Sequence, residues 1–244
     1  MSNPRPLLGA SCLLRGLRLL AAPGLRRFVL LPLLINIVVF SLLIVLAAGW
    51  FDGLVAQFLP QLPEWLAWLG WLLWLLFALT AALLLFFTFT LVANLIGAPF
   101  NGLLAEAVER RETGRRASGD EGLGAALKQA PGALVDELRK LAWFALRAAP
   151  LLLLFLIPGL NLLAPLLWIL FSAWILLMEY ADYPLGNHGL SFADQRRLLA
   201  RHRLTGLGFG GSVLLATIVP LLNLVVMPAA VIGATLLYLE ALEE

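Results

Sequence analysis

Two stretches decide the fold: IPGLNLLAP at residues 157–165 and VPLLNLVVMP at residues 219–228. They repeat one another. Pro158, Leu160, Asn161 and Leu162 recur as Pro220, Leu222, Asn223 and Leu224, each 62 residues later. Each P-x-L-N lies in the middle of an apolar region, with arms at 141–157 and 163–178 in the first copy and at 205–219 and 225–239 in the second. Arms of about 15 to 17 residues are roughly 22 to 26 Å long as helices. That is at or under the ~17 residues at which a helix begins to span a bilayer. A four-residue proline turn between two such arms makes an antiparallel helical hairpin. Each hairpin then either barely crosses or enters and returns, with both ends on one side. A re-entrant tip must be covered by protein or face water, because unpaired backbone groups are not tolerated against lipid. Asn161 and Asn223 are placed to cap those groups. Cover from neighbouring subunits implies a homo-oligomer.

The composition agrees with a membrane protein. Of 244 residues, 61% are hydrophobic and 13% charged, where soluble chains carry about a quarter charged residues. All 17 Lys and Arg fall in two blocks, residues 5–27 and 110–203. Between Phe28 and Ala105 the charges are Asp52 and Glu64 alone. By the positive-inside rule the N-terminus and the basic segments 110–140 and 196–203 are cytoplasmic, and the loop around 50–64 is outside. The bias predicts a single orientation. One cysteine, Cys12, rules out an intrachain disulfide, and no cleavable signal peptide is expected because Arg15 and Arg18 interrupt the first apolar stretch.

The remaining segments read as helices. Residues 7–22 form a short amphipathic helix lying in the membrane interface, with Leu13, Leu14, Leu17 and Leu20 on one side, ended by Pro23-Gly24. Residues 28–51 carry no charge and are long enough to span. Residues 65–100 are a second long apolar run with Trp65, Trp68, Trp71 and Trp74 every three residues, read as an interfacial belt. The helix is expected to continue through ANLIGAPFNGLLAEAVERR with a break near Gly97 and Pro99, and Glu106 and Arg110 stand four apart in the favourable order for a helical pair. TGRRASGDEGLG, residues 113–124, is a solvated loop, and 127–147 an amphipathic helix. The expected whole is a single all-α integral membrane domain over 1–244: an interfacial helix and turn (1–27), two long transmembrane helices (28–109), a cytoplasmic helical segment (110–147), a first hairpin (148–181), a cytoplasmic connection (182–204) and a second hairpin (205–239).

The chemistry of enzymes is not written here. H-E-x-x-H and His/Cys clusters are absent. His188 and His202 read as surface or packing residues, and GLGFGG at 206–211 as a flexible lead into a membrane helix. No cofactor, metal or nucleic-acid partner is implied. Glu179 and Asp182, with Arg110, Arg139, Lys140, Arg147, Arg196 and Arg197, read as a solvated collar. PGLRR, residues 23–27, offers more. A helix start presents free N–H groups and partial positive charge to an anion. Gly24 allows close backbone approach. Arg26 and Arg27 add charge-assisted hydrogen bonds. No acid stands nearby in sequence, so the pocket is all donors, which suits sulfate better than a protonated phosphate. On composition alone, membrane anchoring is the stronger role for these two arginines.

PGLRRFVLLPLLIN, ANLIGAPFNGLLAE, EYADYPLGNHGLSFADQRR and VPLLNLVVMP, in this order along nearly the whole chain, resemble the CysZ family of bacterial sulfate permeases. The resemblance implies sulfate uptake across the cell inner membrane for cysteine biosynthesis, with proton dependence. It also implies two long transmembrane helices with two hemi-penetrating hairpins, assembled as dimers or larger homo-oligomers in the lipid bilayer. It places a G-L-R sulfate motif on Gly24, Leu25 and Arg26, followed by Arg27. Family assemblies with opposed subunits stand against the one-sided charge bias. Glu106 and Arg110, with Asn36, Asn94 and Asn101, are the expected translocation path. Transport of sulfite or thiosulfate, or a non-transporting membrane scaffold, are the alternatives.

Overall fold

The computed structural model describes residues 5–58, 70–114 and 123–242, with side chains described over most of these. Among the described residues every regular element is helical: α1 (Pro6–Leu19), α2 (Arg26–Phe58), α3 (Gly70–Thr113), α4 (Leu123–Leu154), α5 (Ala164–Asn187), α6 (Phe192–Arg201), α7 (Arg203–Ile218) and α8 (Pro220–Leu237). A 3-10 turn at Leu160–Leu162 precedes α5, and a π-turn at Tyr238–Leu242 follows α8. Among the described residues three helical stretches are long and apolar enough to cross a membrane: Arg26–Leu46, Ala164–Asn187 and Val225–Leu242. The expected all-α membrane class is therefore met. Trp65, Trp68 and the loop TGRRASGDEGLG from Arg115 to Gly122 lie outside the described residues.

The chain divides into two compact units, one made of Met1–Arg26 and Asn101–Glu244, the other of Arg27–Phe100. In the first, α1, α5, α7 and α8 form the core. Its interior is filled by Cys12, Leu13, Leu177, Phe209, Val213, Val226 and residues 229–232, all but removed from solvent. Small residues set the spacing. A Cβ on Gly9 would stand 2.1 Å from Thr205 O, one on Gly16 2.2 Å from Ala229 O, and one on Gly210 1.8 Å from Ala173 O. The helices touch backbone to backbone at these points, as small residues permit in membrane bundles.

Those contacts correct two expectations. α1 buries Gly9, Cys12, Leu13 and Gly16, while Leu14 remains 57% exposed. The inward face is thus made of Gly9, Cys12, Leu13 and Gly16, and of the four leucines expected on one side only Leu13 is buried. Nor is GLGFGG a flexible lead. It lies inside α7, with Gly208 against Pro6 O and Gly206 against the Leu177 side chain. A stripe that looks loose in sequence is a packing surface.

The two P-x-L-N copies turn differently. In the first, residues 155–159 leave the helix, Gly159 takes φ +85°, and the 3-10 turn leads into α5. In the second, Val219 alone is extended and Pro220 opens α8 directly, a position where the missing N–H costs nothing. The backbone N–H groups of Asn161 and Asn223 donate to Ile157 O and Val219 O. Both side chains are exposed and make no cap among the described residues, so the capping expected of them is absent here. The first arm is also longer than expected, because the amphipathic segment and the arm are one helix, α4.

In the second unit α2 continues to Phe58, past the expected end. α3 runs unbroken through Gly97 and Pro99 to Thr113. The expected break does not occur: the proline forfeits one ladder bond, and the helix continues past it. Leu30, Leu33, Leu34, Ile37, Val38, Trp71 and Trp74 are exposed, an apolar exterior that suits lipid.

Candidate functional site

The turn between α1 and α2 is built by three residues with different tasks. Gly24 has φ +89°, a left-handed conformation that disfavours any side chain. Leu25 is 2% exposed and pins the turn into the core of the first unit. Its N–H donates to Ala22 O at 3.1 Å, and the N–H of Arg26 reaches the same oxygen at 3.3 Å. A third tie comes from α3, where Arg111 Nη1 donates to Pro23 O at 3.2 Å.

This geometry refines which donors face outward. The amides of Leu25 and Arg26 are spent on Ala22, whereas the amide of Gly24 has no partner among the described residues. Gly24 is exposed, and a Cβ there would meet nothing within 4 Å. Arg26 is exposed and pairs with no carboxylate among the described residues. Arg27 opens the second unit, its guanidinium 4.7 Å above the Phe28 ring. The turn is thus a fixed backbone bend with an open glycine and an uncompensated guanidinium.

The first part of the expected path lies on the C-terminal half of α3. Arg110 Nη2 donates to Glu106 Oε1 at 2.5 Å, with side chains 44% and 26% exposed. The pair forms as its spacing predicts, open to the surface. Asn101 is buried and its Nδ2 donates to the Tyr183 hydroxyl at 3.3 Å. Asn36, in the second unit, has a buried Oδ1 without a hydrogen-bond partner among the described residues. The side chain of Asn94 lies outside the described residues.

Beside the open pair, α3 has a buried face that carries an acid. Asn101, Leu104, Ala105, Val108 and Glu109 are all buried, at i, i+3, i+4, i+7 and i+8. Glu109 meets His188 Nε2 at 3.0 Å, and Asn187 Nδ2 donates to Gly102 O at 2.9 Å. The His188 ring lies 4.9 Å from that of Tyr238. Of the two readings, surface or packing, His188 takes the second. Its partner was legible in outline, because Glu109 falls on the helical stripe of Leu104, Ala105 and Val108.

A second polar knot ties α4, α5 and α6. Buried Lys140 reaches Asp182 Oδ2 at 3.1 Å and Glu179 Oε2 at 3.5 Å. Gln195 Nε2 donates to Asp182 Oδ1 at 2.8 Å and to Leu190 O at 3.1 Å. These members of the expected solvated collar are cross-links between helices. Groups of His, Cys, Asp and Glu able to hold a metal are absent among the described residues.

Comparison with known proteins gives concordant matches. Residues 12–228 match the family model described as sulfate transporter CysZ/etoposide-induced protein 2.4. A sulfate transporter CysZ of Pseudomonas paraeruginosa is 46% identical over 234 residues, covering 96% of this chain and 95% of that protein. One from Pseudomonas fluorescens is 48% identical over 238 residues, with 97% and 96% covered. One from Pectobacterium atrosepticum is 43% identical over 231 residues, with 92% and 82% covered.

Proposed function

The chain belongs to the sulfate transporter CysZ/etoposide-induced protein 2.4 family, and from that premise we propose that it carries sulfate across the bacterial inner membrane and is not an enzyme. Sulfate is captured at the Gly24–Arg27 turn. The observation that carries this reading is the open, donor-only character of that turn: an exposed glycine amide and the unpaired guanidinium of Arg26, with Arg27 next in sequence. Fully ionised sulfate has no proton to donate, so a site without an acceptor costs it nothing. Hydrogen phosphate would leave its O–H unmatched.

From capture the anion passes along the C-terminal half of α3, by the Glu106–Arg110 pair and Asn101, with Asn36 and Asn94 as further polar stations. The α4–α5 and α7–α8 pairs act as hemi-penetrating hairpins and α2 and α3 as the two long transmembrane helices, and the exposed tips at Leu156, Leu162 and Leu221 are covered by neighbouring subunits of a homo-oligomer. The N-terminus is cytoplasmic. Uptake is proton-dependent and supplies cysteine biosynthesis.

The test is sulfate flux into liposomes containing the purified protein, with and without a pH gradient. Saturable sulfate uptake that sulfite and thiosulfate compete for only weakly supports sulfate as the substrate. No flux above protein-free liposomes overturns transport, and flux indifferent to the gradient overturns proton dependence alone.

A further inference from the structure

We propose that Trp143, Arg147 and Arg196 form a binding site for the phosphate of an anionic phospholipid, separate from the sulfate turn. The three residues come from two helices, α4 and α6, that converge on one indole. The Arg147 guanidinium lies 3.7 Å from the centroid of the Trp143 ring, and that of Arg196 lies 5.2 Å from it. Arg196 is also 5.1 Å from the Phe192 ring. Trp143, Phe144 and Phe192 brace one another edge to face, with centroids 5.6, 6.0 and 6.3 Å apart. The indole that both guanidiniums approach is thus held between two neighbouring rings.

Two positive charges share this platform without an acid. Among the described residues no carboxylate pairs with Arg147 or Arg196; the neighbouring Asp194 bonds Arg197 and Ser191 instead. Stacking on an aromatic face offsets part of the cost of gathering two cations, but it supplies no acceptor. Arg147 Nη1 has just one long bond, 3.4 Å to Trp143 O. Among the described residues Arg196 Nε and Trp143 Nε1 are buried with no hydrogen-bond partner. The cluster is rich in donors and short of oxygen, which is the deficit a phosphate group fills.

The surroundings choose the source of that phosphate. On the same helix Leu146 and Leu153, which fall beside Trp143 at helical spacing, are 73% and 59% exposed, an apolar flank for acyl chains. Lys140 and the polar knot lie one turn to the other side. A Trp with arginines at such a boundary sits at headgroup level, with the arginine stems along the apolar surface and their heads toward the phosphate. A free anion would use the guanidiniums but not the leucines.

The experiment measures lipid retained by the purified full-length protein in detergent, by native mass spectrometry, after mixing with phosphatidylglycerol and phosphatidylcholine of matched chains. The expected result is about tenfold or greater preference for phosphatidylglycerol, reduced to near parity in the double variant Arg147→Gln, Arg196→Gln, in keeping with the strength of charge-assisted bonds. Equal retention of the two lipids by the unaltered protein overturns the proposal without need of the variant. So does a variant that keeps the full preference. Displacement of phosphatidylglycerol by millimolar inorganic phosphate or sulfate would reassign the cluster as a free-anion site and overturn the lipid assignment. Sulfate flux through the Gly24–Arg27 turn is a separate readout, so either reading can fail alone.

Discussion

His188 Nε2 stands 3.0 Å from Glu109 Oε2 and 3.1 Å from Oε1, and only 7% of the Glu109 side chain reaches solvent. The bond joins the last turns of α3 to the end of α5 across 79 residues of sequence. A carboxylate so enclosed depends on this donor. Replacing His188 by Leu leaves it buried and uncompensated, at a cost of about 3–5 kcal/mol. Glu109→Gln removes the charge while keeping an acceptor for the ring N–H, and should cost about 1 kcal/mol. Thermal unfolding in detergent should place Glu109→Gln well above His188→Leu. The reverse order would mean that the carboxylate has another partner.

The close helix contacts give a sharper stability test. A Cβ on Gly210 would meet Ala173 O at 1.8 Å, while one on Gly211 would meet nothing within 4 Å. The obstacle at Gly210 is backbone, which cannot rotate away. Gly210→Ala should therefore push α7 off α5 and destabilise the protein by about 1–3 kcal/mol, as overpacking does. Gly211→Ala should be neutral, or stabilising by up to about 1 kcal/mol through helix propensity. Equal behaviour of the two variants in a melting assay would contradict the backbone contact between α5 and α7.

How far the sequence alone could be read depends on what each feature rests on. The helical class followed from uninterrupted apolar runs and needed no tertiary knowledge. The Glu106–Arg110 pair followed from spacing within one helix. The role of GLGFGG did not, because glycine favours both loops and close helix contacts. Only the position of the Leu177 side chain, Pro6 O and Ala173 O, all distant in sequence, decides between them. Lys140 was read as solvent-facing, and His188 was left between surface and packing, for the same reason: their partners, Asp182 and Glu109, lie 42 and 79 residues away. At the anion turn the residue types were legible, but not which amides remain free. That depends on Ala22 O accepting two of them.

Cys12 offers a prediction in pH. It is fully buried where α1 meets Gly233 of α8. Its thiol is pushed up from 9.0 to about 12, chiefly by burial, with Glu240 adding to the rise and Arg15 opposing it. The folded protein thus holds this proton where the unfolded chain has lost it. Stability contributed by the group is complete below pH 9 and declines as pH climbs toward 12. Since the thiolate is the nucleophile, iodoacetamide at pH 8.5 should leave Cys12 unmodified in the native protein and label it after denaturation. Intact mass measures both. Rapid native labelling would show that α1 leaves α8.

The anion turn makes the last prediction, and it separates backbone from charge. Arg26 and Arg27 supply charge without shaping the bend, so Ala at either should lower sulfate affinity by at least tenfold, about 1.5–3 kcal/mol per charge-assisted bond, with the melting temperature held. Gly24→Ala meets no steric obstacle, but its φ of +89° lies outside the range a side chain readily accepts, at a cost of about 1–2 kcal/mol. The bend would relax, and affinity should fall although every charge is still present. Among the described residues Arg111 hydrogen-bonds the bend through Pro23 O. Arg111→Lys keeps the charge and can still reach a carbonyl, so it should lose less affinity than Arg111→Ala. Sulfate titration by calorimetry on this set decides the matter. If Arg26→Ala and Arg27→Ala bind sulfate as the unaltered protein does, the turn is not the capture site. If Gly24→Ala alone is silent, the arginines act by charge and the backbone bend does not contribute.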